Sequence, residues 1–168
     1  ELYMKSAQSG FAPSMNKIGF MYDSGYGVEK SLALAAEWFK KAAEQENVDA
    51  QCNLGCCYEN GEGVEQSYEK AVELYLKSAE KGNASAQCNL GYLYEIGKGV
   101  EQSYEKAAEW YLKAAEQGYV RAQCNLGYCY ESGDGVEQSY EKAAELYLKA
   151  AEKGFTMIHF ALISFCSC

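Results

Sequence analysis

Residues 84–119 read A-S-A-Q-C-N-L-G-Y-L-Y-E-I-G-K-G-V-E-Q-S-Y-E-K-A-A-E-W-Y-L-K-A-A-E-Q-G-Y, and this stretch decides the fold because it repeats. Its string A-Q-C-N-L-G begins at Ala50, Ala86 and Ala122, so it recurs every 36 residues. The string G-x-G-V keeps the same period, at Gly25, Gly61, Gly97 and Gly133. A fixed period in this size range is the signature of a repeat protein. We place four units at 12–47, 48–83, 84–119 and 120–155.

Each unit is predicted to contain two helices, which we call helix A and helix B. In the second unit, helix A is predicted over 48–59, because Ala50, Leu54 and Tyr58 recur every four residues and mark one buried face. Helix B is predicted to follow Ser67, a good N-cap residue, with Glu69 in its electropositive first turn. The sequence therefore predicts an all-α fold of helix pairs.

Glycine recurs in the middle of helix A, for example at Gly55, Gly91 and Gly127. Glycine inside a helix costs up to about 1 kcal/mol relative to alanine. Because the cost is repeated, we expect a repeated reason, namely close approach between the backbones of helices A and B.

Composition excludes several classes of protein. Hydrophobic residues make up 48% of the 168 residues, which is too many for a disordered chain. The net charge of −9 argues against sequence-independent binding of nucleic acid and permits a basic protein partner. No apolar run reaches the roughly 18 residues of a membrane-spanning helix. A single histidine leaves little for histidine-based catalysis or metal binding.

The repeated motif resembles the Sel1-like repeat, a relative of the tetratricopeptide repeat. This resemblance implies a right-handed α/α superhelical solenoid of antiparallel helix pairs that acts as a protein–protein scaffold. The family usually has Asp before helix B, whereas this chain has serine, which also caps helices. Glu46 replaces the glycine expected at the end of the first unit. In the third unit the motif residues are Ala86, Leu90, Gly91, Tyr94, Gly97, Gly99, Val100, Lys106, Ala107, Trp110, Tyr111, Lys113, Ala114, Ala115, Glu116 and Gly118.

The two ends depart from the repeat. Residues 1–11 align with the last part of helix B, so we interpret them as the end of a preceding repeat in a longer parent protein. Residues 156–168 form a divergent apolar tail, which we interpret as a capping helix. A buried contact with a partner and an altered reading frame are alternative explanations of this tail.

The cysteines are predicted to be reduced core residues. Cys52, Cys88 and Cys124 stand on successive A helices, which lie about 8–10 Å apart, whereas a disulfide needs α-carbons within about 7 Å. Cysteine-rich members of the family carry a second cysteine in helix B, where this chain has Ser78 or Ala114. We therefore expect the cytoplasm or another reducing compartment. No spacing typical of a metal site is present, and no metal is predicted.

No catalytic residue and no cofactor are predicted. Cysteine–histidine catalysis would need His159, which lies in the divergent tail. The G-x-G-V string lacks the strand and the lysine of a phosphate-binding loop. Some cysteine-rich family members have been described as β-lactamase-like. That activity is the remote alternative here.

A binding face is predicted on helix A, which lines the concave groove of the related tetratricopeptide superhelix. One column is a ladder of polar residues that can bond a peptide backbone: Lys17, Asn53, Asn89 and Asn125. The next column is mostly aromatic: Phe20, Cys56, Tyr92 and Tyr128. The third is acidic: Asp23, Glu59, Glu95 and Glu131. Alternatively, the amides bond neighbouring turns and the aromatic residues belong to the core between repeats.

We therefore predict a non-enzymatic adaptor that binds a protein or peptide segment on the concave helix-A face, with a basic segment as one candidate. The alternative is a structural subunit of a larger multiprotein assembly. An open groove favours the adaptor, whereas burial of the convex face or of the tail favours the subunit.

Overall fold

The computed structural model describes residues 6–7 and 10–153 of the chain. Between residues 12 and 152 it has eight helices, and the described residues contain no β-strand. The predicted all-α fold class is therefore confirmed. The A helices are α1 (Ala12–Ser24), α3 (Val48–Asn60), α5 (Ala84–Ile96) and α7 (Val120–Ser132). The B helices are α2 (Leu32–Ala43), α4 (Tyr68–Glu80), α6 (Tyr104–Glu116) and α8 (Tyr140–Glu152).

The described residues fall into two compact units. Unit 1 comprises residues up to 86 together with 98–100, and unit 2 comprises 87–97 together with 101–153. In unit 1, α1 packs on α2, α2 on α3, and α3 on α4. In unit 2, α6 packs on α7, and α7 on α8. The predicted tail at 156–168 lies outside the described residues. Of the predicted helix-B remnant at 1–11, Ser6 and Ala7 are helical.

The helices of one repeat run antiparallel, as hydrogen bonds at both ends of a pair show. In unit 1 the amide of Ser67, just before α4, donates to the carbonyl of Tyr58 near the end of α3, at 2.9 Å. At the opposite end, the hydroxyl of Ser78 in α4 donates to the carbonyl of Val48 at the start of α3, at 2.8 Å. In unit 2 the amide of Ser139 likewise bonds the carbonyl of Tyr130 at 2.8 Å.

Serine caps the start of every B helix, as the sequence predicts for the second, third and fourth repeats. The hydroxyl of Ser67 accepts a hydrogen bond from the amide of Lys70 at 3.3 Å, which satisfies one of the amides left without a partner at the start of the helix. The same bond recurs at Ser31, Ser103 and Ser139. The serines therefore replace the family's aspartate without loss of the cap.

The mid-helix glycines lie closest to an aromatic side chain of helix B rather than to its backbone. A β-carbon built on Gly55 would lie 2.6 Å from the ring of Tyr75 in α4, so the close neighbour is an aromatic side chain. Close approach of two backbones occurs instead in the turn. A β-carbon on Gly63 would lie 2.1 Å from the carbonyl oxygen of Leu32, the first residue of the preceding B helix. The expectation of backbone contact is therefore wrong at Gly55, whereas at Gly91 a β-carbon would also lie 3.1 Å from the carbonyl oxygen of Ala107 in α6.

Glu46 takes up the backbone conformation of the glycine that it replaces. Its φ of 59° is left-handed, whereas Gly82 has φ 91° at the same position of the next repeat. Within the described residues, Glu46 is the one non-glycine residue with positive φ. The left-handed region costs a residue with a β-carbon about 1–2 kcal/mol. The corner of the first repeat is therefore preserved with backbone strain.

Candidate functional site

A cavity of about 310 Å³ lies on the helix-A side of unit 1, and we call it the helix-A cavity. Lys17 and Phe20 of α1 line it together with Asn53 of α3. The structure therefore places two residues of the predicted polar ladder, Lys17 and Asn53, around one cavity with the aromatic ring next to them. The remaining lining residues are Pro13, Asn16, Asn47 and Asp49.

Contacts inside the helix-A cavity orient its polar groups. The side-chain amide of Asn53 donates to Oδ1 of Asn16 at 3.0 Å, which joins α3 to α1. The ammonium group of Lys17 lies 5.3 Å from the centroid of the Phe20 ring, within range of a cation–π interaction. Because an amide side chain has two N–H donors and one acceptor, the bond to Asn16 leaves Asn53 with capacity to bond a peptide backbone.

The corresponding face of unit 2 is built around Arg121, which lies outside the repeated motif. Its guanidinium donates to Oδ1 of Asn89, and its Nε lies 3.3 Å from Sγ of Cys88. The amide of Asn125 lies 3.9 Å from the same sulfur. Asn125 thus contacts the buried thiol directly, and Asn89 is linked to it through Arg121. Arg121 is the only arginine of the chain, and this is the signal that could have identified it.

The predicted aromatic column is exposed. Phe20, Tyr92 and Tyr128 are 50%, 44% and 56% accessible to solvent, whereas aromatic residues in the core between repeats would be buried. Cys56, which stands in the same column, is half-buried. Large rigid aromatic side chains on a surface are typical anchors for protein partners.

Three of the four predicted acidic residues, all except Asp23, accept a hydrogen bond from a tyrosine of helix B. The hydroxyls of Tyr75, Tyr111 and Tyr147 donate to the carboxylates of Glu59, Glu95 and Glu131 at 2.6, 2.6 and 2.8 Å. A tyrosine hydroxyl is a neutral donor, so each bond orients the carboxylate and leaves its negative charge in place. Burial, and then the hydrogen-bonded carboxylate, raise the pKa of Tyr111 and of Tyr147, which keeps these hydroxyls protonated as donors.

Cys57, Cys88 and Cys129 form no disulfide and are poorly suited to nucleophilic chemistry. Burial raises the pKa of Cys57 and of Cys129 to about 12. Burial also raises the pKa of Cys88, although the neighbouring guanidinium of Arg121 acts in the opposite direction. Because the thiolate is the reactive form, these three side chains behave as small core residues near neutral pH.

Over the described ranges, no three histidine, cysteine or acidic side chains come together in a way that could hold a metal ion. None of the helices described has the length and apolar character needed to cross a membrane.

Solved structures similar to this chain include Sel1-type repeat proteins. The chain is 41% identical to c5321, a protective antigen of uropathogenic Escherichia coli with an SLR fold, at a TM-score of 0.88 over 94% of this chain. It is also 41% identical to a Sel1 repeat protein from Oxalobacter formigenes, at a TM-score of 0.80 over 88% of this chain. Cysteine-rich protein B of Helicobacter pylori is 27% identical, at a TM-score of 0.61, with coverage of 75% of this chain and 96% of that protein.

The chain spans only part of the first two of these proteins, namely 34% of the E. coli chain and 59% of the O. formigenes chain. No curated protein matches it. The family model described as the Sel1 repeat matches four segments, at 12–47, 48–83, 84–119 and 120–155. The chain therefore belongs to the Sel1 repeat family, whose fold commonly serves protein–protein interaction and is generally non-catalytic.

Proposed function

We propose that this chain is a non-enzymatic adaptor that binds an extended segment of a partner protein on its A helices. The observations that carry the proposal are made within each unit: Phe20 is exposed next to Lys17 and Asn53 in unit 1, and Tyr128 is exposed on the same helix as Asn125 in unit 2. Exposed aromatic rings lose unfavourable contact with water when a partner covers them, and nearby amides can bond the partner's backbone.

The order of side chains along α7 indicates the chemistry of the segment. Arg121 stands near the start of the helix, Asn125 and Tyr128 follow on the same side, and Glu131 stands near its end. Spacings of three and four residues keep these side chains on one face of a helix. A complementary segment has a carboxylate near Arg121, an apolar side chain over Tyr128, and a lysine or arginine near Glu131.

The partner's basic group is proposed to pair with Glu95 or Glu131. Both carboxylates are half-buried, and each accepts a hydrogen bond from a tyrosine hydroxyl that fixes its direction. An oriented charge at an interface contributes mainly to specificity and to the rate of association. The net charge of −9 acts in the same direction, because it attracts a basic partner over a longer range.

The experiment compares binding and stability in the same variants, with the partner isolated by affinity capture on the whole chain. Asn125→Ala should weaken binding by about 0.5–1.5 kcal/mol, the typical worth of one hydrogen bond, and leave the melting temperature nearly unchanged. Its described contact within the chain is the long one of 3.9 Å to Cys88, so little stability depends on it. A lower melting temperature with unchanged affinity would assign Asn125 to packing and would count against the proposal.

The charge is tested separately with Glu131→Gln. Glutamine keeps an oxygen that can accept the hydrogen bond of Tyr147 and removes the negative charge. The association rate of a basic partner should fall, and the fall should shrink as salt is added. An unchanged rate at low salt would show that the partner does not use this charge.

The second candidate function, a structural subunit of a larger assembly, places the contact on the B helices. It is favoured by Leu112 and Leu148, which are 43% and 57% exposed on α6 and α8. In that case Leu148→Glu would abolish assembly, while Asn125→Ala and Glu131→Gln would have no effect. The two candidates therefore give opposite results with the same set of variants.

A further inference from the structure

A second cavity of about 320 Å³ lies on the helix-B side of unit 1, and we call it the helix-B cavity. It is lined by α2, α3 and α4, and it shares no residue with the helix-A cavity. Its volume is at the lower end of the roughly 300–1,000 Å³ range of ligand pockets. The proposed adaptor function makes no use of it.

The deeper part of the helix-B cavity is apolar with one polar group. Leu54 is 5% exposed, and the partly buried side chains of Tyr58 and Leu74 pack against the same core cluster. Gln51 of α3 also lines the cavity and is 5% exposed. Its Oε1 is buried and accepts no hydrogen bond from the described residues. Buried polar atoms without a hydrogen-bond partner are rare and destabilise the fold. A ligand that donates a hydrogen bond to this oxygen would remove that penalty.

Related repeats show how that oxygen can be satisfied. At the same position of α5, Oε1 of Gln87 accepts a hydrogen bond from Gln117 at 2.8 Å. In the second repeat, Lys81 stands at the position of Gln117 and pairs instead with Glu46 at 3.2 Å. Gln123 of α7 also has an Oε1 without a partner in the described residues, so the glutamine alone does not single out this cavity. The lysines around the helix-B cavity distinguish it from the other repeats.

The rim of the helix-B cavity is cationic within an acidic protein. Lys40, Lys70 and Lys77 line it with Glu44 and Glu73. Glu73 forms an ion pair with Lys77, with 2.6 Å between Oε1 and Nζ, whereas Lys40 and Lys70 form no ion pair with a described residue. The ammonium group of Lys70 lies 5.1 Å from the centroid of the Tyr58 ring.

Lys40 departs from the pattern of the other repeats. The residues at its position in the second, third and fourth repeats are all leucine: Leu76, Leu112 and Leu148. The positive charge therefore belongs to the first repeat alone. It stands at the edge of an apolar cavity, where a charged head group can reach a ligand while the side-chain stem covers apolar surface.

We propose that the helix-B cavity docks an acidic segment of a protein partner through one apolar side chain. That side chain packs against Leu54 and Leu74, a backbone N–H of the segment donates to Gln51, and flanking carboxylates pair with Lys40 and Lys70. The oxygen of Gln51 selects a backbone N–H of the ligand, and the apolar lining selects an apolar side chain. The lysines of the rim select the flanking carboxylates. An adaptor with this second site holds two partners on two different sides of unit 1.

The test uses three acetylated and amidated pentapeptides as probes for the whole chain. The first has a leucine between two pairs of glutamates, the second replaces the leucine by glycine, and the third replaces the glutamates by lysines. Binding is followed by two-dimensional ¹⁵N–¹H NMR titration. The first peptide should bind with a Kd of about 1 mM or tighter and shift the amides of residues 40–44 and 70–77. The glycine and lysine peptides should bind at least tenfold more weakly.

Variants connect binding to the residues named. Lys40→Glu should weaken the first peptide about tenfold or more. Lys40→Leu introduces the residue found at this position in the other repeats, so it keeps the fold and should weaken binding less. Lys17→Glu changes a lysine of the helix-A cavity and should have no effect. Equal loss with Lys17→Glu would move the peptide to the helix-A cavity and overturn the proposal.

Gln51→Leu separates a binding role from a packing role. Removal of an unpartnered buried oxygen should raise the melting temperature, while the peptide binds at least threefold more weakly. Gln87→Leu is the control, because it breaks a hydrogen bond that is made, and it should lower the melting temperature. The proposal is overturned if the leucine peptide causes no saturable shift at 40–44 and 70–77. It is also overturned if the lysine peptide binds equally well, or if these amides shift with protein concentration alone, as contact with a second copy would cause.

Discussion

The ring of Tyr75 lies directly over Gly55, so that a β-carbon on Gly55 would come within 2.6 Å of the ring. The same pairing joins Gly91 to Tyr111 and Gly127 to Tyr147. Tyr75 and Tyr111 are fully buried, and their hydroxyls reach past the glycine to a carboxylate near the end of helix A. One contact thus explains two features of the repeat: the glycine inside the helix and the fixed glutamate.

Gly91→Ala should destabilise the protein although alanine is the better helix former. The added β-carbon would lie 2.8 Å from the Tyr111 ring and 3.1 Å from the carbonyl oxygen of Ala107. Overpacking of a core costs about 1–3 kcal/mol, and the gain in helix propensity of up to about 1 kcal/mol offsets part of it. Urea denaturation should show a net loss of about 1–2 kcal/mol. In the double variant Gly91→Ala with Tyr111→Leu, the loss of stability should differ from the sum of the losses in the two single variants. Strict additivity would contradict the contact between Gly91 and Tyr111.

Glu46→Gly should stabilise the protein, because glycine adopts positive φ without steric cost. The expected gain is about 1 kcal/mol in the free energy of unfolding. The ion pair with Lys81 that is lost is exposed and contributes little. Gly82→Ala is the matched control: it has positive φ and no neighbour within 4 Å of a β-carbon, so it reports the backbone cost alone and should lose a similar amount. Changes of the same sign in the two variants would refute this account.

Alkaline pH should unfold the protein through its buried tyrosines. Burial raises the pKa of Tyr75, Tyr111 and Tyr147 above the ordinary value of 10.0. Between that value and the folded-state pKa, the unfolded chain binds fewer protons than the native chain. The contribution of each tyrosine to the free energy of unfolding is therefore fully present below about pH 10. Above that pH the free energy of unfolding falls by about 1.4 kcal/mol per pH unit for each tyrosine.

Urea denaturation at several values between pH 9 and pH 11.5 measures this slope. Tyr111→Phe should reduce the slope of stability against pH by the contribution of one tyrosine. Tyr128→Phe, which changes an exposed ring, is the control. An unchanged slope in Tyr111→Phe would show that Tyr111 does not titrate as described.

Cys57 and Cys129 should be nearly inert in the folded protein at pH 8. A pKa of about 12 in place of 9.0 lowers the thiolate fraction about a thousandfold. Alkylation by iodoacetamide, located by peptide mass mapping, should label both residues slowly in buffer and fast in urea. Equal rates in the two conditions would contradict their burial.

The sequence predicted the elements of this fold because each repeat carries its own local signals. Ser67 marks the start of α4, and the apolar period around Leu54 marks α3, so neither needs knowledge of distant residues. The contacts between helices were harder to predict. The bond between Tyr75 and Glu59 spans a turn and depends on how two helices pack. A signal was present, however: the first repeat has Phe39 and Asp23 at these two positions, so both residues change together.

The candidate site was predicted in part for the same reason. A helix period places Asn125 and Tyr128 on one side of α7, so the side that these two residues share follows from spacing alone. The spacing does not reveal that Asn53 bonds Asn16, or that Arg121 bonds Asn89. Side-chain contacts between neighbouring repeats depend on residues that differ from one repeat to the next. The helix-B cavity was missed for a similar reason, since Lys40 differs from the leucine of the other repeats.

The most direct test of the proposed function is site-specific photo-crosslinking with a benzophenone amino acid in place of single tyrosines. Tyr128 lies on the proposed binding face, and Tyr140, at the start of α8, is a control of similar exposure, 53% against 56%. Each variant is irradiated in a lysate of the cells that produce the protein, and crosslinked peptides are identified by mass spectrometry. The account predicts a strong crosslink from position 128 to a segment with a lysine or arginine beside an apolar residue, and little from position 140. Equal crosslinking at both positions, or crosslinking at position 140 alone, would contradict it.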